Sequence, residues 1–180
     1  MGSSSPMNIN IGCNAYNKLP GYINVDINPD ANPDVCMDAL EYLSDVPENT
    51  VDTIYAGHFL EHLDSFKADL FLCYCGFALK VGGTLTLVLP DVWKCYLNDK
   101  ANKMLPGEFH GIIWGYFPDT PHTEWDTHKA IYNRPILENL LSQTFDKFEF
   151  FDITKVNDDR LVSKADWQFY VVCTKTNSSI

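Results

Sequence analysis

Asn8-Ile9-Asn10-Ile11-Gly12-Cys13 is a short β-rich run that stops on a glycine and is followed by Asn14. The next stretches repeat the design: Tyr22 to Ile27 (YINVDI) closes around Asp26, Val35 to Asp38 (VCMD) on Asp38, and Val51 to Gly57 (VDTIYAG) on Gly57 and His58. Short runs of this kind, divided by Gly, Pro, Asn and Asp, read as buried strands with turns between them. Such strands suit a parallel sheet covered on both faces, whose ligands gather at the carboxyl ends of the strands. A glycine there lets a ligand approach the backbone, and an Asp closing the next strand accepts both hydroxyls of a ribose. Asp38, one strand further out, is placed to accept from an adenine amino group. Taken in chain order, the strand ends spell a nucleoside site.

Beyond His58 the period changes. From Leu63 to Lys80, Phe66, Leu70, Phe71, Tyr74, Phe77 and Ala78 fall at three- and four-residue steps, which predicts an amphipathic helix capped by Asp64 or Ser65 and ended by Gly82-Gly83. Thr84 to Pro90 (TLTLVLP) is the next strand. From Asp91 to Arg134 the regular pattern breaks down, in a segment rich in aromatic residues that also holds His110, His122 and His128. Long irregular segments inside a compact domain tend to be lids or binding loops. Pro135 to Phe145 returns to helix with proline at its first position, and Lys147 to Ile153 and Trp167 to Lys175 are the closing strands, joined by a polar stretch with Asp158-Asp159.

The ordered blocks resemble the class I S-adenosylmethionine-dependent methyltransferases, in particular a small branch with a contracted first strand-to-strand connection. The resemblance is carried by Asn10-Ile11-Gly12-Cys13, Pro20-Gly21-Tyr22-Ile23-Asn24-Val25-Asp26, Asp38-Ala39-Leu40, His58-Phe59-Leu60-Glu61-His62-Leu63, Leu79-Lys80-Val81-Gly82-Gly83-Thr84-Leu85 and Leu89-Pro90-Asp91. It implies an α/β fold: a Rossmann-like, seven-stranded, mostly parallel sheet with helices on both faces and the last strand antiparallel. It also implies S-adenosylmethionine as cofactor, with carboxylate and sulfonium near Gly12, Cys13 and Asn14. The ribose would lie on Asp26 beside Ile27, the adenine near Asp38, Ala39 and Leu40, and the methionine part beside Gly57 and His58. Two positions depart from the family pattern. Asn14 stands where the loop usually has a glycine, although Asn tolerates a left-handed backbone. Only residues 14–21 separate the first two strands, fewer than the dozen or so of a crossover that contains a helix.

The acceptor pocket is expected in 91–134, with Trp93, Trp114, His122 and Tyr132 on its walls and Asp91, His58, His110 and His128 near the reacting atom. Histidine titrates near neutrality and suits removal of a proton from an attacking hydroxyl or amine. The reading is methyl transfer to an oxygen or nitrogen of a small-molecule acceptor, without a metal. Two other readings remain: an S-adenosylmethionine or nucleoside-binding module without catalysis, and a zinc hydrolase. The latter rests on His58-x-x-Glu61-His62, an inverted zinc-protease spelling that needs both histidines on one helical face, with Glu138 as a further ligand. On the main reading Glu61 and His62 sit at a helix start, where the dipole favours a carboxylate.

Of 180 residues 46% are apolar and 13% aromatic, enough for a packed core and unlike a disordered chain. With 13 Lys and Arg against 24 Asp and Glu, the net charge of −11 repels a polyanion, so no nucleic-acid partner is expected. The apolar runs are far shorter than the about 20 residues that span a bilayer. Six scattered cysteines without framework spacing, and Met1 to Pro6 without the basic, apolar character of an export signal, point to reduced thiols and a cytoplasmic location. Cys73-Tyr-Cys75 has the wrong spacing for a zinc site on a helix. Met1 to Pro6 reads as a tag or unstructured start, and 7–180 as one domain. Monomer and homodimer both remain open.

Overall fold

The computed structural model describes residues 5–116 and 125–177. In chain order its elements are β1 (Asn8–Ile11), β2 (Ile23–Asp26), β3 (Val35–Cys36), α1 (Ala39–Ser44), β4 (Val51–Gly57), α2 (Ser65–Ala78), β5 (Leu79–Pro90), α3 (Val92–Lys100), α4 (Glu108–Trp114), α5 (Arg134–Leu141), β6 (Lys147–Phe151) and β7 (Gln168–Thr174). The strands form one seven-stranded sheet in the order β3-β2-β1-β4-β5-β7-β6. β1 to β5 pair in parallel, and β7 lies antiparallel between β5 and β6, the expected Rossmann-like sheet with its last strand reversed. The chain winds away from the β1/β4 junction on both sides, and such a switch point leaves a crevice beyond the carboxyl ends of the strands. Among the described residues no helix is long and apolar enough to cross a membrane.

Alternate residues of the central strands go to opposite faces. Ile9, Ile54, Leu87 and Val171 join the main core with Phe71 of α2 and Leu137 of α5. On the other face Tyr55, Val88 and Tyr170 pack with Leu19 and Ile153, which belong to the β1–β2 and β6–β7 connections. The β1–β2 connection contains turns and no helix, as its length requires. Buried asparagines stitch it down instead: Asn10 Nδ2 donates to the Asn17 carbonyl and to Asn24 Oδ1, while Asn24 Nδ2 donates to the Leu19 and Tyr22 carbonyls and to Asp34 Oδ2. These bonds satisfy loop backbone that a crossover helix would have satisfied internally.

Four expectations are corrected. Gly82-Gly83 does not end α2, which stops at Ala78; both glycines lie inside β5, whose register against β4 shifts between Val51 and Thr53. Gly82 has φ +85°, and a Cβ on Gly83 would stand 2.9 Å from the Lys80 carbonyl oxygen, so the pair builds an irregularity that only glycine fits. The buried stripe of α2 is Ala68, Phe71, Leu72, Cys75 and Ala78, whereas Phe66 and Phe77 face outward at 74% and 41% exposure. Two stripes of equal period were present, and the sheet selects the one with small residues, which lets the helix lie close. The segment expected to be irregular holds α3 and α4, and Asp38 opens the unexpected α1. The short α3 buries only Cys95 and turns Trp93, Tyr96 and Leu97 outward, too thin a stripe to impose a period on the sequence.

Candidate functional site

The carboxyl ends of β1, β2 and β4 and the start of α1 border one open cleft of about 1020 Å³. Gly12, Asn14, Asp26, Ile27, Asp38, Ala39, Leu40 and His58 all line it. Phe59, His62, Leu63, Lys67, Trp125 and Lys129 also line it. Of the cofactor residues expected from sequence, Cys13 and Gly57 do not reach the cleft surface. Cys13 is fully buried, and burial, with Asp26 adding to it, pushes its thiol up to about 11, so it packs and does not react.

Each lining residue is placed by its own backbone chemistry. Gly12 has φ +65°, and a Cβ there would stand 2.8 Å from Phe59 Cδ2, so the residue is required by conformation and by space. Gly12→Val is expected to destabilise the protein by about 2–3 kcal/mol from left-handed strain and overpacking, read as a lower urea midpoint; an unchanged midpoint would show that the loop tolerates a side chain. Asn14 adopts φ 37°, the left-handed backbone expected of it, and its Oδ1 accepts from the Tyr16 and Asn17 amides, which turns the side chain onto its own loop. The Asp26 carboxylate is held at both oxygens, Oδ2 accepting from the Asn14 amide at 2.8 Å and Oδ1 from the Asn28 amide at 2.9 Å. Asp38 caps α1 through Oδ1, which accepts from the Leu40 and Glu41 amides. Its capping role and its place on the cleft wall coexist.

At the end of β4, His58 has φ 53°, and its amide donates to the Val88 carbonyl at 2.7 Å. Its Nδ1 lies 3.1 Å from Glu61 Oε1 and its ring 6.1 Å from that of Trp167. Glu61 and His62 precede α2 in a 3-10 turn, Leu60–His62, but Glu61 does not face the solvent as a helix-start carboxylate would; it is 1% exposed. Burial alone would raise its pKa, and the His58 hydrogen bond with the surrounding imidazoles outweighs that and holds it below the usual carboxylate value. His128 is half-buried, and burial lowers its pKa. Glu61, His128 and Tyr132, with Ile112 and Ile113, line a second, much smaller cavity, nearly filled by its own lining. It adjoins the cleft through His62, whose ring centre is 4.7 Å from that of His128.

None of the remaining candidates among the described residues is brought into the cleft. Asp91 is the N-cap of α3, its Oδ1 accepting from the Trp93 and Lys94 amides, and burial raises its pKa. Trp93 and Trp114 are more than half exposed and His110 is exposed on α4. His122 lies outside the described residues. The zinc-hydrolase spelling also dissolves: His58 ends a strand instead of sharing a helical face with His62, and Glu138 pairs with Arg134 at 2.7 Å. Sequence reasoning did not single out Phe59, Lys67, Trp125 or Lys129 as cleft residues. Phe59 alone was signalled, as the residue that follows His58.

No family model matches the chain, and no curated protein matches it in sequence. Solved structures do match. A S-adenosylmethionine-dependent methyltransferase of Archaeoglobus fulgidus superimposes with a TM-score of 0.60 at 20% identity, covering 94% of this chain and 86% of that one. A phosphoethanolamine N-methyltransferase of Haemonchus contortus in complex with S-adenosylmethionine gives 0.57 at 12% identity, over 98% of this chain and 50% of that one. The small RNA methyltransferase HEN1 gives 0.60 at 16% identity, over 99% of this chain and 24% of that one. The chain spans half or less of the length of the last two. What the likeness establishes at these identities is the fold, and the fold is that of the class I S-adenosylmethionine-dependent methyltransferases.

Proposed function

We propose that the protein is a methyltransferase that binds S-adenosylmethionine in the strand-end cleft and transfers its methyl group to an oxygen or nitrogen of a small acceptor. One observation carries the reading: in a methyltransferase fold, Gly12, Asp26 and Asp38, spread along the first 38 residues of the chain, line the same cleft. The residues fit the cofactor. Gly12 leaves clear the space that a Cβ would take beside Phe59, and each Asp26 oxygen, after its backbone bond, keeps a lone pair for a ribose hydroxyl. Asp38, Ala39 and Leu40 are the adenine wall. In place of the helix N-terminus that the contracted first connection lacks, Lys67 and Lys129 supply positive charge for the methionine carboxylate.

S-adenosylmethionine supplies an electrophilic methyl group on a sulfonium, already a good leaving group. The chain's task is then positioning, a contribution that can dominate such a reaction. His58 projects from the end of β4 into that cleft and orients the acceptor by hydrogen bonding, steadied from behind by Glu61. Trp125, which lines the cleft, favours a ring-bearing or sugar-like acceptor. The net charge of −11 speaks against a nucleic-acid acceptor.

The test is product formation. Incubation with methyl-labelled S-adenosylmethionine and a panel of hydroxylated and amine metabolites is expected to release S-adenosylhomocysteine with label on one acceptor class. Cofactor binding without turnover on any acceptor would favour a non-catalytic binding module.

A further inference from the structure

Where the cleft meets the smaller cavity lies a group of side chains whose polar atoms the described hydrogen bonds do not all satisfy. Glu61 is fully buried, and its Oε1 is bonded by His58 Nδ1, but its Oε2 has no hydrogen-bond partner among the described residues. The same is true of His62 Nδ1, also buried. Among the described ion pairs no Lys or Arg reaches Glu61; its one pairing is with His58. A buried carboxylate oxygen and a buried imidazole nitrogen, each without a hydrogen-bond partner among the described residues, each carry a desolvation cost that folding does not leave uncompensated without a reason.

The third member is brought in from far along the chain. The amides of Lys129 and Ala130 donate to the Glu61 carbonyl at 2.8 and 3.1 Å, and the His128 amide donates to the Trp114 carbonyl at 3.2 Å. This pins His128 against the turn, with its ring at 86° to that of His62. One ligand atom from each of Glu61, His62 and His128 lies within 4.8 Å of the others. A cation bound at about 2.0–2.2 Å needs those atoms to draw together by roughly 1–1.5 Å, within reach of rotation of the two half-buried imidazoles.

We propose that Glu61, His62 and His128 form a binding site for a divalent transition-metal ion at the junction of the cleft and the smaller cavity. Two imidazoles and one carboxylate are a borderline donor set that suits zinc and its first-row neighbours better than magnesium or calcium, which prefer all-oxygen shells. Ligation through Glu61 Oε2 and His62 Nδ1 would give both unpartnered atoms a partner. His58 then acts as the outer partner of a ligating carboxylate, a common arrangement around bound metals. Three protein ligands leave an open coordination position, as in catalytic zinc centres. The ligand set differs from the His58, Glu61, His62 spelling in the sequence, because His58 sits on the strand side of Glu61 and His128 takes its place. The site does not rest on the methyl-transfer reading.

The test uses full-length protein stripped with a chelator, without S-adenosylmethionine, so that its outcome is separate from that of cofactor binding. Titration with Co2+, followed by visible absorption, is expected to saturate at one ion per chain, with displacement by Zn2+ and a zinc-dependent rise in melting temperature. His62→Gln and His128→Gln are each expected to weaken binding by at least about 100-fold, while His110→Gln on the exposed face of α4 leaves it unchanged. Absence of stoichiometric uptake by the wild-type protein overturns the proposal, and so does uptake that survives both substitutions in variants that still unfold cooperatively. A proton shared between Glu61 and an imidazole, the metal-free way to satisfy these atoms, produces the first of those results.

Discussion

Asp26→Ala is expected to weaken S-adenosylmethionine binding by about 100-fold or more. Two charge-assisted hydrogen bonds to vicinal hydroxyls contribute about 1.5–3 kcal/mol each, and the substitution removes both. It also releases the Asn14 and Asn28 amides, which the carboxylate holds at 2.8 and 2.9 Å, so the loops on either side of the ribose position loosen together. Asp26→Asn separates charge from shape: it keeps the volume but turns an NH2 group toward one of two backbone donors, and most of the loss is expected to persist. Calorimetric dissociation constants check both variants. An affinity within threefold of wild type in Asp26→Ala would mean that the ribose is not held at the end of β2.

The second large effect is on stability, on the face of the sheet opposite the main core. Asp158 Oδ2 accepts from Arg160 Nη2 at 2.7 Å and from the Tyr170 hydroxyl at 2.6 Å, while its Oδ1 accepts from the Arg160 amide and Nε. The Arg160 guanidinium also reaches the Tyr22 hydroxyl and Thr86 Oγ1 and lies 4.8 Å over the Tyr55 ring. This knot ties the β6–β7 connection to the sheet and to the β1–β2 connection. The two side chains are only 11% and 21% exposed. Asp158→Ala strands a largely buried guanidinium and is expected to cost about 3–5 kcal/mol, read by urea unfolding at neutral pH; a loss below 1 kcal/mol would contradict that role.

The same pair predicts a pH signature. Burial works to raise the Asp158 pKa, but the bonds from Arg160 and Tyr170 outweigh it and hold the carboxyl at about 2. An unfolded chain titrates Asp near 3.9, so on acidification the unfolded state takes up the proton first. The contribution is complete above about pH 4 and is lost as the pH falls through about 2. The wild-type stability is therefore expected to fall more steeply than that of Asp158→Ala between pH 4 and 2.

The strand ends were legible in the sequence because each is governed by a local constraint. Gly12 and Asn14 carry positive φ, and Asp26 and Asp38 bond the amides that follow them, all within a few residues of the quoted runs. What escaped depends on distant chain. Glu61 reads as a helix-start carboxylate until Lys129 and Ala130 close over its carbonyl and bury it. Asp158-Asp159 reads as a polar connection until Tyr170 and Arg160 converge on the first of the two. α3 and α4 escaped for a different reason, since each buries so few side chains that no apolar period forms. The absence of a first crossover helix was readable from length alone, but the asparagine network that replaces it was not, because it joins Asn10, Asn24 and Asp34 across three segments.

The most direct test of the cofactor cleft is calorimetric titration of the wild-type protein with S-adenosylhomocysteine, which lacks only the methyl and the sulfonium charge that goes with it and cannot turn over. Saturable binding at one site per chain, lost in Asp26→Ala, is the expected result. Absence of saturable heat and of any rise in melting temperature, with either S-adenosylhomocysteine or S-adenosylmethionine, would contradict the assignment of the cleft.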